Sequence, residues 1–480
     1  MVTHFSRIMT SLALIMVAPF ALAGEPDQAH ADEAAQAPDG QQRVLLGEQP
    51  HQVQITVWMK EAAKAYDEGD HAGWAQATEE LHKLRPYNQD FMRHLVEAHA
   101  QTGELSKAFN MMLLMQQQGL SEQWDEIDNV APLREHRLYG HLNDLMVEAG
   151  QPFGEAEQFA TIDPDMPMPE GVAFDPASER LFVGNVREGR IVFTRDGESW
   201  ETFASPESVD DLMAVLALAV DSDRGHLWVA TGAVGQFEGY RQQDHGRTAL
   251  LKLDLESGEL LATHRVIPDR QPRLMGSLAL AGDGTVYAAD SHSPTVFRLR
   301  PDDERPRPFF THPNLSSLRG LAVSDDDRLL YAADYEVGIF VIGLENEGEA
   351  WKLATPETLN EAGIDGLMVW DNHLVGIQNG ITPQRVIRMQ LGDDGLGAVD
   401  IAPIASAQPE FDTPTFGAMN GSELYFLAGS HWHHVDSRGR GDVPPIAVLK
   451  TDVDSAEVRV VGEEVLEQMQ QQREQQQRQQ

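Results

Sequence analysis

The spacing of apolar residues along the 480-residue chain changes once. Between residues 51 and 150 it is helical, with apolar positions recurring every three or four residues. From residue 155 it alternates, in short runs that break at turns such as "AGDG", "SDDD" and "PDDE", whose Gly and Asp suit tight-turn geometry. One phrase recurs there. A small residue opens an apolar run, an acidic turn follows, and a second apolar run ends on a polar residue. "GVAFDPASERLFVGN" at 171–185 and "GLAVSDDDRLLYAAD" at 320–334 are two copies, and all six start at Gly171, Ala217, Ser277, Gly320, Gly366 and Gly417, 43 to 60 residues apart. Each unit has room for four short strands; in the first they are "GVAF", "RLFVGN", "RIVFT" and "WETFA". The spacing predicts an α+β multidomain chain in which a small helical domain at 51–150 precedes an all-β six-bladed β-propeller at 155–462. A ring of blades must close or leave edge strands unpaired. The segment "QFATI" (158–162) is placed to pair with the last blade, where "IAVLKTDV" (446–453) and "EVRVVG" (457–462) supply strands.

In the helical part, Gly69 and Gly103 stand 34 residues apart, each between two helix-like segments. Trp58, Ala62, Gly69 and Asp70 fall at the spacing of a tetratricopeptide repeat, Pro86 closes that unit, and Met92, Leu95, Gly103, Ala108 and Met112 continue the pattern. This region resembles tetratricopeptide hairpins over about two repeats, although Trp74 stands where a small residue is usual. A third helix pair is expected at 121–149. Two roles stay open: a groove for a protein partner, or a short cap packed on the next domain.

Composition narrows the setting. Arg7, the apolar run Ile8–Leu22 and Ala21-Leu22-Ala23 read as a signal peptide over 1–23, too short for the roughly 20 apolar residues of a membrane span. Residues 24–50 read as a disordered leader and 463–480 as a glutamine-rich tail. The chain contains no cysteine, which excludes disulfides, thiol catalysis and cysteine zinc sites. A periplasmic or secreted protein is expected, without a membrane span after signal removal. The net charge of −40 makes nucleic acid a poor partner.

A propeller gathers the starts of its inner strands and the ends of its second strands at one axial mouth. The first ring there is Glu170, Leu216, Gly276, Arg319, Asp365 and Phe416. The second is Asn185, Thr231, Asp290, Asp334, Gln378 with Asn379, and the stretch "GSHWHH" from Gly429. Asn185, Arg319, Asn379 and His431 are candidate ligand-binding residues. Asp290, His292 and Asp334 are candidate catalytic groups, His292 as a general base. His431, His433 and His434 are candidates for a transition metal, but neighbours on a strand point to opposite faces, so a histidine-bearing surface loop is expected instead.

Blades written "PEGVAFD…LFVGN" and "IDGLMV", six in number after a signal peptide, resemble the senescence-marker-protein/gluconolactonase (regucalcin) family over about 155–462, with strictosidine-synthase-like propellers and paraoxonases as relatives. The resemblance implies a calcium-dependent lactone or ester hydrolase with a divalent cation on the axis. Glu170 and Asp365 match two of its metal ligands. Gly276 and Arg319 stand where that family has amide ligands: glycine offers no side-chain oxygen, and a guanidinium is no acceptor. The expectation is therefore a degenerate metal site in which Arg319 replaces the cation and forks onto Glu170 or Asp365. The mouth would then bind a small molecule.

Overall fold

In the computed structural model, residues 50–267, 271–345 and 349–455 are described. The signal peptide, nearly all of the leader, the strand expected at 457–462 and the glutamine-rich tail lie outside them. Six sheets of four or five strands account for the second part of the chain. Their inner strands are Pro169–Asp175, Ala214–Asp221, Met275–Leu280, Leu318–Val323, Ile364–Trp370 and Gly417–Asn420. Each inner strand contacts the next, and the sixth contacts the first, so the sheets form a closed ring of six blades. Closure works as the sequence predicts. Glu157–Ile162 pairs antiparallel with Ile446–Asp452 and completes the sixth blade. A further pairing was not foreseen: Phe153–Gly154 adds a fifth strand to the outer edge of the fifth blade.

The alternation of apolar residues is spent between blades. One apolar cluster fills each gap: Phe182 and Leu218 belong to the cluster joining the first and second blades, and Tyr331 and Leu367 to that joining the fourth and fifth. The small residue that opens each repeat answers a crowding problem at the axis. Gly171 has φ +69°, and a Cβ there would lie 2.9 Å from the Cα of Ala217 on the neighbouring inner strand. Only glycine accommodates both conditions.

The helices His51–Glu68, His71–Leu84, Gln89–Thr102 and Leu105–Gln117 pack in sequence order. Gly69 and Gly103 end two of them in the left-handed conformation, while Asp70 and Asn88 cap the following pair through side-chain oxygens. The third pair expected at 121–149 is instead two 3-10 turns, Trp124–Glu126 and Asp128–Leu133, and one helix, Tyr139–Ala149. Pro132 inside the second turn explains the break. Among the described residues no helix is long and apolar enough to cross a membrane.

This helical region sits on the propeller. Ser121 N–H donates to Thr382 O at 2.7 Å, Tyr87 Oη donates to Glu361 at 2.8 Å, and Arg85 pairs with Glu336. Arg385, 8% exposed, reaches out of the fifth blade to Gln118 O at 3.0 Å while also holding Gln378 Oε1 at 2.7 Å. Thr382, Glu361 and Glu336 lie in loops that follow second strands or precede inner strands, and Arg385 opens the third strand of the fifth blade. The helices therefore flank the axial mouth beside the fourth and fifth blades.

Candidate functional site

The inner strands carry one device that periodicity cannot show. In each of the first five blades the register between inner and second strand slips by a residue near the start of the inner strand, as between Glu170 and Val172 or between Ile364 and Gly366. Such bulges re-aim side chains and recur beside functional sites. In the fifth blade the residue lifted out of the ladder is Asp365, and in the fourth it is Arg319 with Gly320.

The axial ring brings Glu170, Arg319 and Asp365 together, as expected from their repeat positions. Glu170 feels both other charges: burial first, then Asp365, push its carboxyl up to about 8, against the pull of the Trp432 hydrogen bond and of Arg319. The Trp432 Nε1–H donates to Glu170 Oε2 at 3.0 Å. Asp365 Oδ2 accepts from Asn379 Nδ2 at 2.9 Å, and Asn379 Oδ1 accepts from Tyr335 Oη at 2.7 Å. Burial, then Asp365, raises the Tyr335 phenol, so it stays protonated and donating. Behind the ring an axial cavity of about 50 Å³ runs between inner strands, lined by Asp365, Ser277 and Phe416. That is room for a few water molecules.

The expected fork of Arg319 onto a carboxylate is not formed. Among the described residues its guanidinium pairs with neither Glu170 nor Asp365. It donates to Ser317 Oγ at 3.2 Å and lies 5.7 Å from the centre of the Tyr335 ring. The physical reason is local. Tyr335 follows directly on the second strand of the same blade and offers an aromatic face next to Arg319.

The second ring is used differently from expectation. Asn185, fully buried, donates to Pro167 O and accepts from Glu188 N–H at 2.6 Å. Asp290 accepts from Leu274 N–H and His292 N–H at 3.0 and 2.9 Å and from Arg273 Nη1 at 2.9 Å. Asp334 accepts from four N–H groups, those of Ser316, Ser317, Glu336 and Val337. Thr231 and Gln378 make equivalent bonds in their blades. These polar residues at the ends of second strands are clasps: each ties its strand end to the loop entering the inner strand. His292 contributes its backbone N–H to such a clasp, and burial lowers its imidazole pKa. His431, 1% exposed, closes the ring in the same way, accepting from Met168 N–H at 2.9 Å through Nδ1 and facing Pro444 O at 2.8 Å through Nε2. Of the candidate ligand-binding residues, Asn379 bonds the axial carboxylate of Asp365 and Arg319 stands in the ring unpaired with either carboxylate, whereas Asn185 and His431 serve as clasps.

The calcium set implied by the resemblance does not fit these residues. Glu170 and Asp365 are the ring's two carboxylates. Gly276 adds no side-chain oxygen, Arg319 adds a permanent positive charge, and the amide oxygen of Asn379 is occupied by Tyr335. Calcium takes six to eight oxygens. Trp432 and Tyr335 carried no specific signal in the sequence. Tyr335 follows a second-ring aspartate, and Trp432 lies within a histidine stretch.

No family model matches the chain, and no curated protein does. Solved structures do. The PQQ-bound aldose sugar dehydrogenase from Streptomyces coelicolor is 18% identical, over 63% of this chain and 100% of its own, at a TM-score of 0.42. Regucalcin from Agrobacterium tumefaciens, described as a calcium-binding protein, is 17% identical over 63% and 98%, at 0.43. A gluconolactonase from Xanthomonas campestris is 17% identical over 64% and 93%, at 0.41. The six-bladed propeller rests on the strand pairing described above.

Proposed function

We propose that this protein is an exported, periplasmic or secreted, propeller that binds a small molecule at its axial mouth, at a site where Arg319 takes the place of a metal ion. The observation that carries this reading is Arg319 itself, a guanidinium beside Glu170 and Asp365 that is committed to neither. Its remaining N–H groups suit a carboxylate or carbonyl oxygen of a ligand, which a planar fork binds in two-point fashion. Trp432 and Tyr335 offer aromatic surface, and Asp365, steadied by Asn379, offers an acceptor for ligand hydroxyls. A hydroxy acid or its lactone is the class of molecule that matches these groups. The helices, flanking the mouth, act as a cap, and a protein partner would approach through their outer faces.

A second reading, a lactone or ester hydrolase, is favoured by one observation. Glu170, protonated near neutrality beside Asp365, has the profile of a general acid. Two experiments separate the readings. Calorimetry with calcium is expected to show no stoichiometric binding, and Arg319→Asn, which removes the cation and supplies an amide oxygen, is expected to strengthen calcium binding at least tenfold. Tight calcium binding by the wild-type chain that Glu170→Gln abolishes would overturn the replacement of metal by Arg319. Gluconate and glucono-lactone titrations, with a hydrolysis assay run with and without chelator, then distinguish binding lost in Arg319→Ala from turnover lost in Glu170→Gln.

A further inference from the structure

Outside the axial ring, two groups of histidine and carboxylate donors converge among the described residues. In the first, Glu79, His99 and Glu104, the ammonium of Lys107 already bridges the two glutamates at 3.2 and 2.7 Å, so the place of a cation is filled. The second has no such occupant. His433 Nε2 stands 3.0 Å from Asp412 Oδ1, and His434 Nε2 stands 2.8 Å from Asp412 Oδ2. We propose that Asp412, His433 and His434 form a binding site for a divalent transition-metal ion of the zinc class at the rim of the propeller mouth, separate from the axial ring.

Two imidazole nitrogens and one carboxylate oxygen form a donor set that suits zinc and leaves a coordination position for water or a ligand oxygen. The distances fit. Tetrahedral bonds of about 2.0–2.1 Å set neighbouring donors roughly 3.3 Å apart; each imidazole stands 3.0 or 2.8 Å from its own oxygen of Asp412, and one donor atom from each of the three residues lies within 4.8 Å of the others, so side-chain rotation alone closes the set. Each imidazole Nε2 stands at hydrogen-bond distance from the carboxylate. Binding requires both rings in the Nδ1–H form, with Nε2 lone pairs turned on the ion.

The expectation that adjacent histidines point apart fails here because residues 431–434 form a turn, not a strand. The turn is preorganised by His431, whose buried ring is held at both nitrogens and whose carbonyl accepts from His434 N–H at 3.0 Å. On the other side, Asp412 is clamped by its own backbone: its N–H donates to Ala428 O at 2.8 Å, and its C=O accepts from Ser430 N–H at 2.9 Å. His433, His434 and Asp412 are 31%, 29% and 51% exposed, so an ion has an entry path and open coordination positions. Trp432, between the two sets of anchors, reaches Glu170 in the axial ring.

The test is calorimetry with zinc chloride on the full chain after chelator treatment. One zinc per chain is expected, with affinity falling by about 100-fold or more in His434→Ala and in Asp412→Ala, since even outer-shell changes cost about 10–100-fold. Binding should vanish in the His433→Ala/His434→Ala double variant. Glu79→Gln should leave it unchanged, which separates this site from the other cluster. Circular dichroism on each variant confirms that the fold persists. Absence of saturable one-to-one binding by the wild-type chain, or binding undiminished in the double variant, would overturn the proposal.

Discussion

Replacing Glu170 by glutamine should change how stability depends on pH, and the size of the change follows from the axial ring. Glu170 has an ordinary carboxyl pKa of 4.5 in the unfolded chain and one raised to about 8 in the folded protein, by burial first and then by Asp365. Between those values the folded state holds a proton that the unfolded state has released. Unfolding then sheds a proton, so stability falls as pH rises, by about 1.36 kcal/mol per pH unit. Summed from 4.5 to about 8 the loss reaches about 5 kcal/mol, present in full above pH 8 and absent below pH 4.5. Glutamine cannot ionise, and its amide oxygen can still accept the Trp432 hydrogen bond. Glu170→Gln should therefore match the wild type near pH 4.5 and exceed it by several kcal/mol at pH 8.5. Neighbours give the sign of two further variants. Asp365→Asn should shrink the pH dependence and Arg319→Gln should enlarge it, since Asp365 raises and Arg319 lowers the Glu170 pKa. Urea unfolding at fixed ionic strength, from pH 4.5 to 8.5, measures this directly. Parallel stability curves for wild type and Glu170→Gln across that range would refute the reasoning.

Three more outcomes are expected. Gly171→Ala places a Cβ 2.9 Å from backbone at Ala217 in a left-handed conformation, and should cost about 2–4 kcal/mol by differential scanning calorimetry. Asp334→Ala strips the acceptor from four N–H groups in a fully buried clasp, and should cost about 3 kcal/mol or more; a catalytic role alone would leave the unfolding midpoint unchanged. Arg385→Leu removes the hydrogen bond to Gln118 O across the junction of helices and propeller, together with the bond to Gln378 Oε1 that holds the side chain within the fifth blade. Hydrogen exchange should then rise over residues 50–150 while the inner strands of the blades keep their protection.

The sequence by itself determined the number of blades, their order and the closing strand at 158–162, because each depends on local period and on turn chemistry repeated along the chain. It also determined that Glu170, Arg319 and Asp365 share a ring, because a repeat carries every copy of one position to the same place around the axis. Only the tertiary structure decided what those positions do. Asn185, Asp290 and Asp334 look like site residues in sequence, yet their acceptors and donors are consumed within their own blades, by backbone groups and, at Asp290, by Arg273 and Ser293 as well. Arg319 lies against Tyr335, which follows directly on the second strand of the same blade, and forks onto neither carboxylate. His433 and His434 converge because their segment turns back on Asp412, 21 residues earlier. Periodicity reports which face a residue occupies. Which partner satisfies its polar atoms is settled by contacts between segments distant in sequence, and most buried polar groups find one.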